Sequence, residues 1–452
     1  MRCVLLLAAT VLLLGACGSP TLALPTPTRA PAVVRRATPA RDTRQFLSRP
    51  AQIASFPAQI YRVSIGVHPV NGWPAVGMLT RFGESDTPIQ VYARVFDPQG
   101  QAWGPTLQLD TGDSSCGMDA NGTVVVGVLA DRTVVAVWGN DGSRDGGIWS
   151  SETRDYGRTW STPTRIATGG NIVLSIATDD AGRAVALATG YLRSGDTVLA
   201  RTLLMTRSGP GVWDVTLLAV PAIDGAVALA DGRAVALVAT KRDDAIVAVT
   251  RDLTGGSWQA QTIRVDGALD APGDERADGF FWHVNAVAFT RQLPDDTLQD
   301  GALFTWTRRD RGDVYALLTR DAGRSWGPIR RIVQDLPGRT VRYAAPGYDA
   351  SADRAIALWT CCDDANPTHY ASWGTLGGAW RELSGPIISG AARAGWTSSA
   401  QPPASRAIWL VWVENDSQVM VRTLETNALV PVGQYPAATP EPTEAPVWEI
   451  VP

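Results

Sequence analysis

Ala230-Asp231-Gly232-Arg233-Ala234-Val235-Ala236-Leu237 is a tight turn that runs straight into a hydrophobic strand. The same arrangement stands at Asp180-Ala181-Gly182-Arg183-Ala184-Val185-Ala186-Leu187 and at Ala130-Asp131-Arg132-Thr133-Val134-Val135-Ala136-Val137-Trp138. It returns at Asp353-Arg354-Ala355-Ile356-Ala357-Leu358 and at Ser405-Arg406-Ala407-Ile408-Trp409-Leu410. The arginines that mark these five copies are 51, 50, 121 and 52 residues apart. One more copy, Asp300-Gly301-Ala302-Leu303-Phe304-Thr305-Trp306, falls inside the long gap, and Asn71-Gly72-Trp73-Pro74-Ala75-Val76 is a weaker first copy. That makes seven.

A second series runs in phase with the first. Trp103, Trp160, Trp213, Trp258, Trp326 and Trp380 each lie just past a glycine-rich turn. Each follows one member of the first series, and only the seventh copy lacks one. Within the second unit, residues 123–130, 132–138, 148–153 and 164–168 read as four strands with turns between them. A four-stranded unit repeating every ~45–50 residues is the signature of a β-propeller blade. A lone blade cannot bury both faces of its sheet, so blades stack round an axis and the ring closes on itself. The expected fold is all-β: a propeller over residues 51–430 with seven four-stranded blades, six being the alternative. The last unit lacks an outer strand after Glu425, and residues 51–60 are placed to supply it.

Composition agrees. The chain has 452 residues, with 44 Gly, 30 Pro and 17 Trp. A net charge of −4 gives no electrostatic case for a nucleic-acid partner. A hydrophobic fraction of 45% excludes a wholly disordered chain.

The N-terminus carries an address. Arg2 precedes an apolar run from Val4 to Leu14, too short to span a bilayer and suited to a signal peptide. Leu14-Gly15-Ala16-Cys17 resembles the bacterial lipobox. That resemblance implies cleavage before Cys17, lipid on its thiol, and anchoring on the extracytoplasmic face of the cell membrane. The other reading is an ordinary secretory signal. Residues 1–17 are thus a signal segment. Residues 18–50, with Pro20, Pro25, Pro27, Pro31, Pro39 and Pro50, form an extended linker, and residues 431–452 form a Pro-rich tail.

Two copies of the turn before the outer strand are nearly complete motifs. Thr153-Arg154-Asp155-Tyr156-Gly157-Arg158-Thr159-Trp160 and Thr319-Arg320-Asp321-Ala322-Gly323-Arg324-Ser325-Trp326 resemble the Asp-box, or BNR repeat, of sialidase-like propellers. Residues 250–258 repeat it with one insertion. The chemistry is structural: the carboxylate accepts backbone N–H groups, the glycine takes positive φ, and the tryptophan packs between blades. In that family the motif lies away from the active site.

Sialidases hold an acid sugar with three arginines and use a Tyr nucleophile, a Glu and an Asp acid. The resemblance points to Arg62 in Tyr61-Arg62-Val63-Ser64, where the family's Ile-Pro is missing. It also points to Asp86 in Gly83-Glu84-Ser85-Asp86, to Glu275, and to Tyr343 beside Arg342. No motif locates a second or third arginine. Tyr61, Trp73 and Trp282 would make stacking platforms if they faced the funnel and would fill blade interfaces otherwise.

Other chemistry is thin. His68, His283 and His369 have no metal-ligand spacing, so no metal and no cofactor are expected. Cys361-Cys362-Asp363-Asp364 with His369 fits a disulfide better than a soft-metal site outside the cell. The pairing is Cys116 with Cys361 or Cys362, or a vicinal bridge. The function expected is non-catalytic binding of a glycan or protein. An exo-glycosidase of sialidase type, or an assembly scaffold for a membrane complex, are the alternatives.

Overall fold

The second strand of each unit is a continuous apolar run, as a strand covered on both faces requires. Val134 to Val137 and Ala234 to Ala239 are fully buried. A computed structural model describes residues 50–81, 89–110, 124–140, 147–168, 172–194, 197–240, 246–263, 283–308, 313–333, 340–362, 368–375, 380–382 and 394–426. All lie within one compact unit. No helix among them is long and apolar enough to cross a membrane.

Blade 2 shows the plan. Strands Val124–Val128, Val134–Asn140, Gly147–Thr153 and Thr164–Thr168 pair antiparallel in that order from the axis outward. Seven such sheets are present. Their innermost strands are Gln59–Val67, Val124–Val128, Ile172–Thr178, Ala222–Ala230, Asn285–Gln292, Thr340–Asp349 and Ala394–Ala400. Each touches the next in sequence, and the seventh touches the first, so the ring is closed. In blade 1 the outer edge is split into Ala102–Trp103 and Leu107–Gln108. In blade 7 the outer strand comes from the front of the propeller: Ala51–Ser55 pairs antiparallel with Gln418–Glu425. The two ends of the ring are therefore laced into one sheet, as the missing strand after Glu425 implied.

The interfaces between blades hold five tryptophans of the second series. Trp103 packs where blades 7 and 1 meet, Trp160 between 1 and 2, and Trp213 between 2 and 3. Trp258 lies between blades 3 and 4, and Trp326 between 4 and 5. One reading of the first series needs correction. Asp300-Gly301 is not the turn of blade 5; the hairpin turns at Leu293–Thr297, and both residues sit inside the strand Leu298–Arg308. Gly301 lies beneath the Phe289 ring, where a Cβ would come within 2.4 Å of it. Asp300 is satisfied across the pair by the Thr290 hydroxyl, 2.6 Å away.

Strand direction separates the two faces of the ring. The innermost strand is the first of each blade in sequence, so all seven run the same way along the axis. Their N-terminal ends gather at one mouth. The turns that join first to second strands, and third to fourth, gather on the opposite face. That turn face is densely bonded. Thr153 Oγ1 donates to Asp155 Oδ1 (2.8 Å) and accepts from the Gly157 N–H (3.1 Å), while the Thr159 hydroxyl and N–H both donate to Asp155. Thr319, Asp321, Gly323 and Ser325 repeat the network bond for bond. Gly157 and Gly323 take φ of 80° and 81° and lie against Val95 and Thr250 of the preceding blade, so neither admits a side chain. Arg158 then reaches Asp97 of blade 1 (2.7 Å), and Arg324 reaches Asp231 of blade 4 (2.9 Å). Burial pushes the Asp155 and Asp321 carboxyls up, but hydrogen bonds from Thr159, Thr153 and Ser325 outweigh it, and both sit below the usual carboxylate range.

Candidate functional site

The mouth opposite those turns is built by an irregularity that recurs. In blade 1 the pairing register shifts between Ile60 and Arg62; in blade 3 between Val173 and Ser175. It shifts between Ala222 and Asp224 in blade 4, Val341 and Tyr343 in blade 6, and Ala394 and Thr397 in blade 7. A β-bulge bends its strand and re-aims the next side chain. The residue after each shift, Arg62, Ser175, Asp224, Tyr343 or Thr397, lines a single axial cavity of about 440 Å³.

Four groups with chemistry converge there from four blades. Arg62, Asp224, His283 and Tyr343 are each half-buried and line the cavity. Burial draws Arg62 below the usual arginine value, while the Asp224 charge and, once ionised, the Tyr343 phenolate push it back up, so all three sit within electrostatic reach. Asp224 retains some open surface yet lies deep among protein atoms. Burial pushes its carboxyl up to about 7, against the opposing pull of the Gly225 N–H, Arg62 and the Val284 N–H. The Gly225 N–H donates to Asp224 Oδ1 at 2.7 Å. The His283 and Tyr343 rings lie with centroids 4.7 Å apart, tilted by 47°. Their segment is held from both sides: Val284 bonds Asp224 of blade 4, and Asn285 Nδ2 donates to the Ala344 carbonyl of blade 6 (2.7 Å).

The structure thus brings Arg62 and Tyr343 into one cavity. Asp86, Glu275 and Trp282 lie outside the described residues, as do Cys17 and Cys116. Cys361 and Cys362 end the second strand of blade 6, opposite Val341 and Thr340; their side chains also fall outside the description. Asp224 and His283 escaped sequence reasoning. Asp224 sits in Ala222-Ile223-Asp224 with no motif around it, and a bulge leaves no mark in a single sequence.

Tyr61 and Trp73 take the second of their two alternatives and pack at the interface of blades 1 and 2. Trp73 is 2% exposed and packs edge-on against Tyr156 between blades 1 and 2. Tyr61 is the extra residue of the blade 1 bulge and lies under the Arg81 guanidinium, away from the cavity lining. His68 is structural: its Nδ1 accepts from the Val70 and Asn71 N–H groups, its Nε2 meets the Ala130 carbonyl, and burial lowers its pKa. Among the described residues no three His, Cys, Asp or Glu side chains cluster as metal ligands do.

No protein-family model matches the chain, and no curated protein matches it. Solved structures do resemble it. A Hadza microbial sialidase is 12% identical with a TM-score of 0.44, over 82% of this chain and 66% of that one. The NanB sialidase from Streptococcus pneumoniae is 9% identical with a TM-score of 0.43, over 84% and 71%. The Aleuria aurantia lectin, a six-bladed propeller with a fucose recognition mode, is 11% identical with a TM-score of 0.41, over 75% and 99%. The chain spans about two thirds of the length of those sialidases. The class of fold stands on strand order and ring closure: this is a seven-bladed β-propeller of antiparallel four-stranded blades.

Proposed function

We propose that this chain is an exported lipoprotein whose propeller binds a glycan at the mouth where Arg62, Asp224, His283 and Tyr343 meet. Lipid on Cys17 would hold it to the extracytoplasmic face of a bacterial membrane, with residues 18–50 as the spacer. The observation that carries the reading is the convergence of four chemistry-bearing side chains, from four blades, on one cavity. A guanidinium, a carboxylate and two aromatic rings supply the directional bonds and the apolar face that a sugar ring needs. Saturation-transfer NMR with a panel of methyl glycosides tests it, since this method detects weak binding. Transfer to at least one sugar, lost in Arg62→Ala, is the expected result. Silence across the panel from a folded protein refutes it. Cys17→Ala should move the chain from the membrane fraction to the soluble one.

One observation favours a second reading, an exo-glycosidase of sialidase type. A carboxyl pushed up to about 7, lining the same cavity as a tyrosine, has the protonation range of an acid–base partner for a Tyr nucleophile. Turnover of a fluorogenic sialoside that vanishes in Tyr343→Phe would support it. No turnover across a range of acid sugars would dismiss it.

A further inference from the structure

We infer that the mouth selects a neutral sugar, gripped through neighbouring hydroxyls, over an acid sugar. This rests on the glycan-binding reading above and names its ligand class. Arg62 does not stand alone as an anion receptor. Arg62 and Asp224 line the same mouth, each following a register shift at the start of its strand, and each charge acts on the other. A ligand carboxylate docked on Arg62 would come close to Asp224 and be repelled by it.

Among the described lining residues, Arg62 is the only arginine or lysine and Asp224 the only carboxylate. Neighbouring polar groups are neutral: Ser64, Ser175, Thr397 and Ser398. His283 is the remaining titratable group beside Tyr343.

An arginine beside a carboxylate offers donors next to acceptors. Arg has only donors and an ionised Asp only acceptors, whereas a hydroxyl does both. Two adjacent sugar hydroxyls can therefore each accept from Arg62 and donate to Asp224. Asp224 is fixed for this task. The Gly225 and Val284 N–H groups take part of its capacity and orient it, leaving oxygen lone pairs for Arg62 and the ligand. The register shifts at Arg62 and Asp224 hold both side chains on rigid strands. The tilted Tyr343–His283 pair offers an apolar surface for the C–H face of a pyranose.

The test is a titration of the full chain at pH 8, where Asp224 is ionised. Neutral probes are the methyl glycosides of fucose, galactose and mannose; acid probes are those of sialic acid and glucuronic acid. Neutral probes should bind and acid probes should not. Arg62→Gln should weaken neutral binding by about tenfold or more, as loss of a charge-assisted bond predicts. Asp224→Asn keeps the shape and removes the opposing charge. It should lose neutral affinity and gain acid-sugar affinity, a reversal that a merely structural role would not produce. Thermal melts of both variants confirm folding, and either variant alone can refute the inference. Acid probes binding the unmodified protein while neutral probes stay silent would overturn this inference and leave glycan binding standing. Silence from every probe would remove both. An Asp224→Asn protein with no gain for acid sugars would count against the inference alone.

Discussion

The two faces of the ring treat charge in opposite ways. On the turn face, Asp155 and Asp321 spend their oxygens on their own loops, and the adjoining arginines close on carboxylates of the preceding blade. The arrangement is repeated almost atom for atom. At the other mouth the register shift recurs but the side chains it aims do not. Arg62, Asp224, His283 and Tyr343 come from four blades, each a different side chain, and all border open space. Symmetry serves stability, because the same latch ties blade 2 to blade 1 and blade 5 to blade 4. Asymmetry serves recognition, because one ligand needs different groups at different points.

Breaking the scaffold should give the largest effects. Deleting Ala51–Ser55 removes the outer strand of blade 7 and exposes the edge of Gln418–Glu425. Thermal unfolding of that truncation should lose its single cooperative transition, while a propeller that melts as before would deny the lacing role. Next comes Glu152, on the turn side of blade 2. It takes two bonds from Arg207 of blade 3 (2.8 and 2.9 Å) and one from the Gly211 N–H, with both ion-pair side chains under 10% exposed. Glu152→Ala should cost about 3–5 kcal/mol by stranding a buried guanidinium, measured by denaturant unfolding. Asp155→Ala should cost about 0.5–1.5 kcal/mol through its lost turn hydrogen bonds. Arg62→Ala should change stability least and binding most.

The pH dependence should sharpen the contrast, because the carboxyls on the two faces are shifted in opposite directions. Asp155 and Asp321 have folded values below the unfolded value of about 3.9, so they stabilise above that pH and the benefit is lost as pH falls through the folded values. Asp224 is the reverse. Its folded value of about 7 exceeds the unfolded one, so the folded state holds its proton more tightly and stability falls as pH rises from about 4 to 7. Asp224→Asn should therefore raise the melting temperature at pH 8 and do little at pH 4. An equal shift at both values would show that burial of its charge is not the cause.

How much of this was legible follows from the same contrast. The turn face repeats, so turn residues, apolar strands and tryptophans announced the blades, and the missing strand after Glu425 announced the closure. Arg62 and Tyr343 were reached through the sialidase resemblance. Asp224 was not, because Ala222-Ile223-Asp224 reads as an ordinary strand start and its aim depends on a register shift set by pairing partners. Asp300-Gly301 misled because the same dipeptide suits a turn and, under Phe289, the middle of a strand. The sequence left Trp73 open between platform and interface filler, and the structure takes the second, because a large ring next to a blade interface gains more by burial than by exposure.

One paired measurement addresses the division of labour directly: sugar affinity, by NMR titration with the methyl glycoside panel, for Arg62→Ala and Asp155→Ala side by side. The mouth variant should lose binding while keeping its melting temperature, and the turn variant should melt earlier while binding unchanged. The reverse pattern, or equal loss of binding in both, would contradict the assignment of recognition to one face and support to the other.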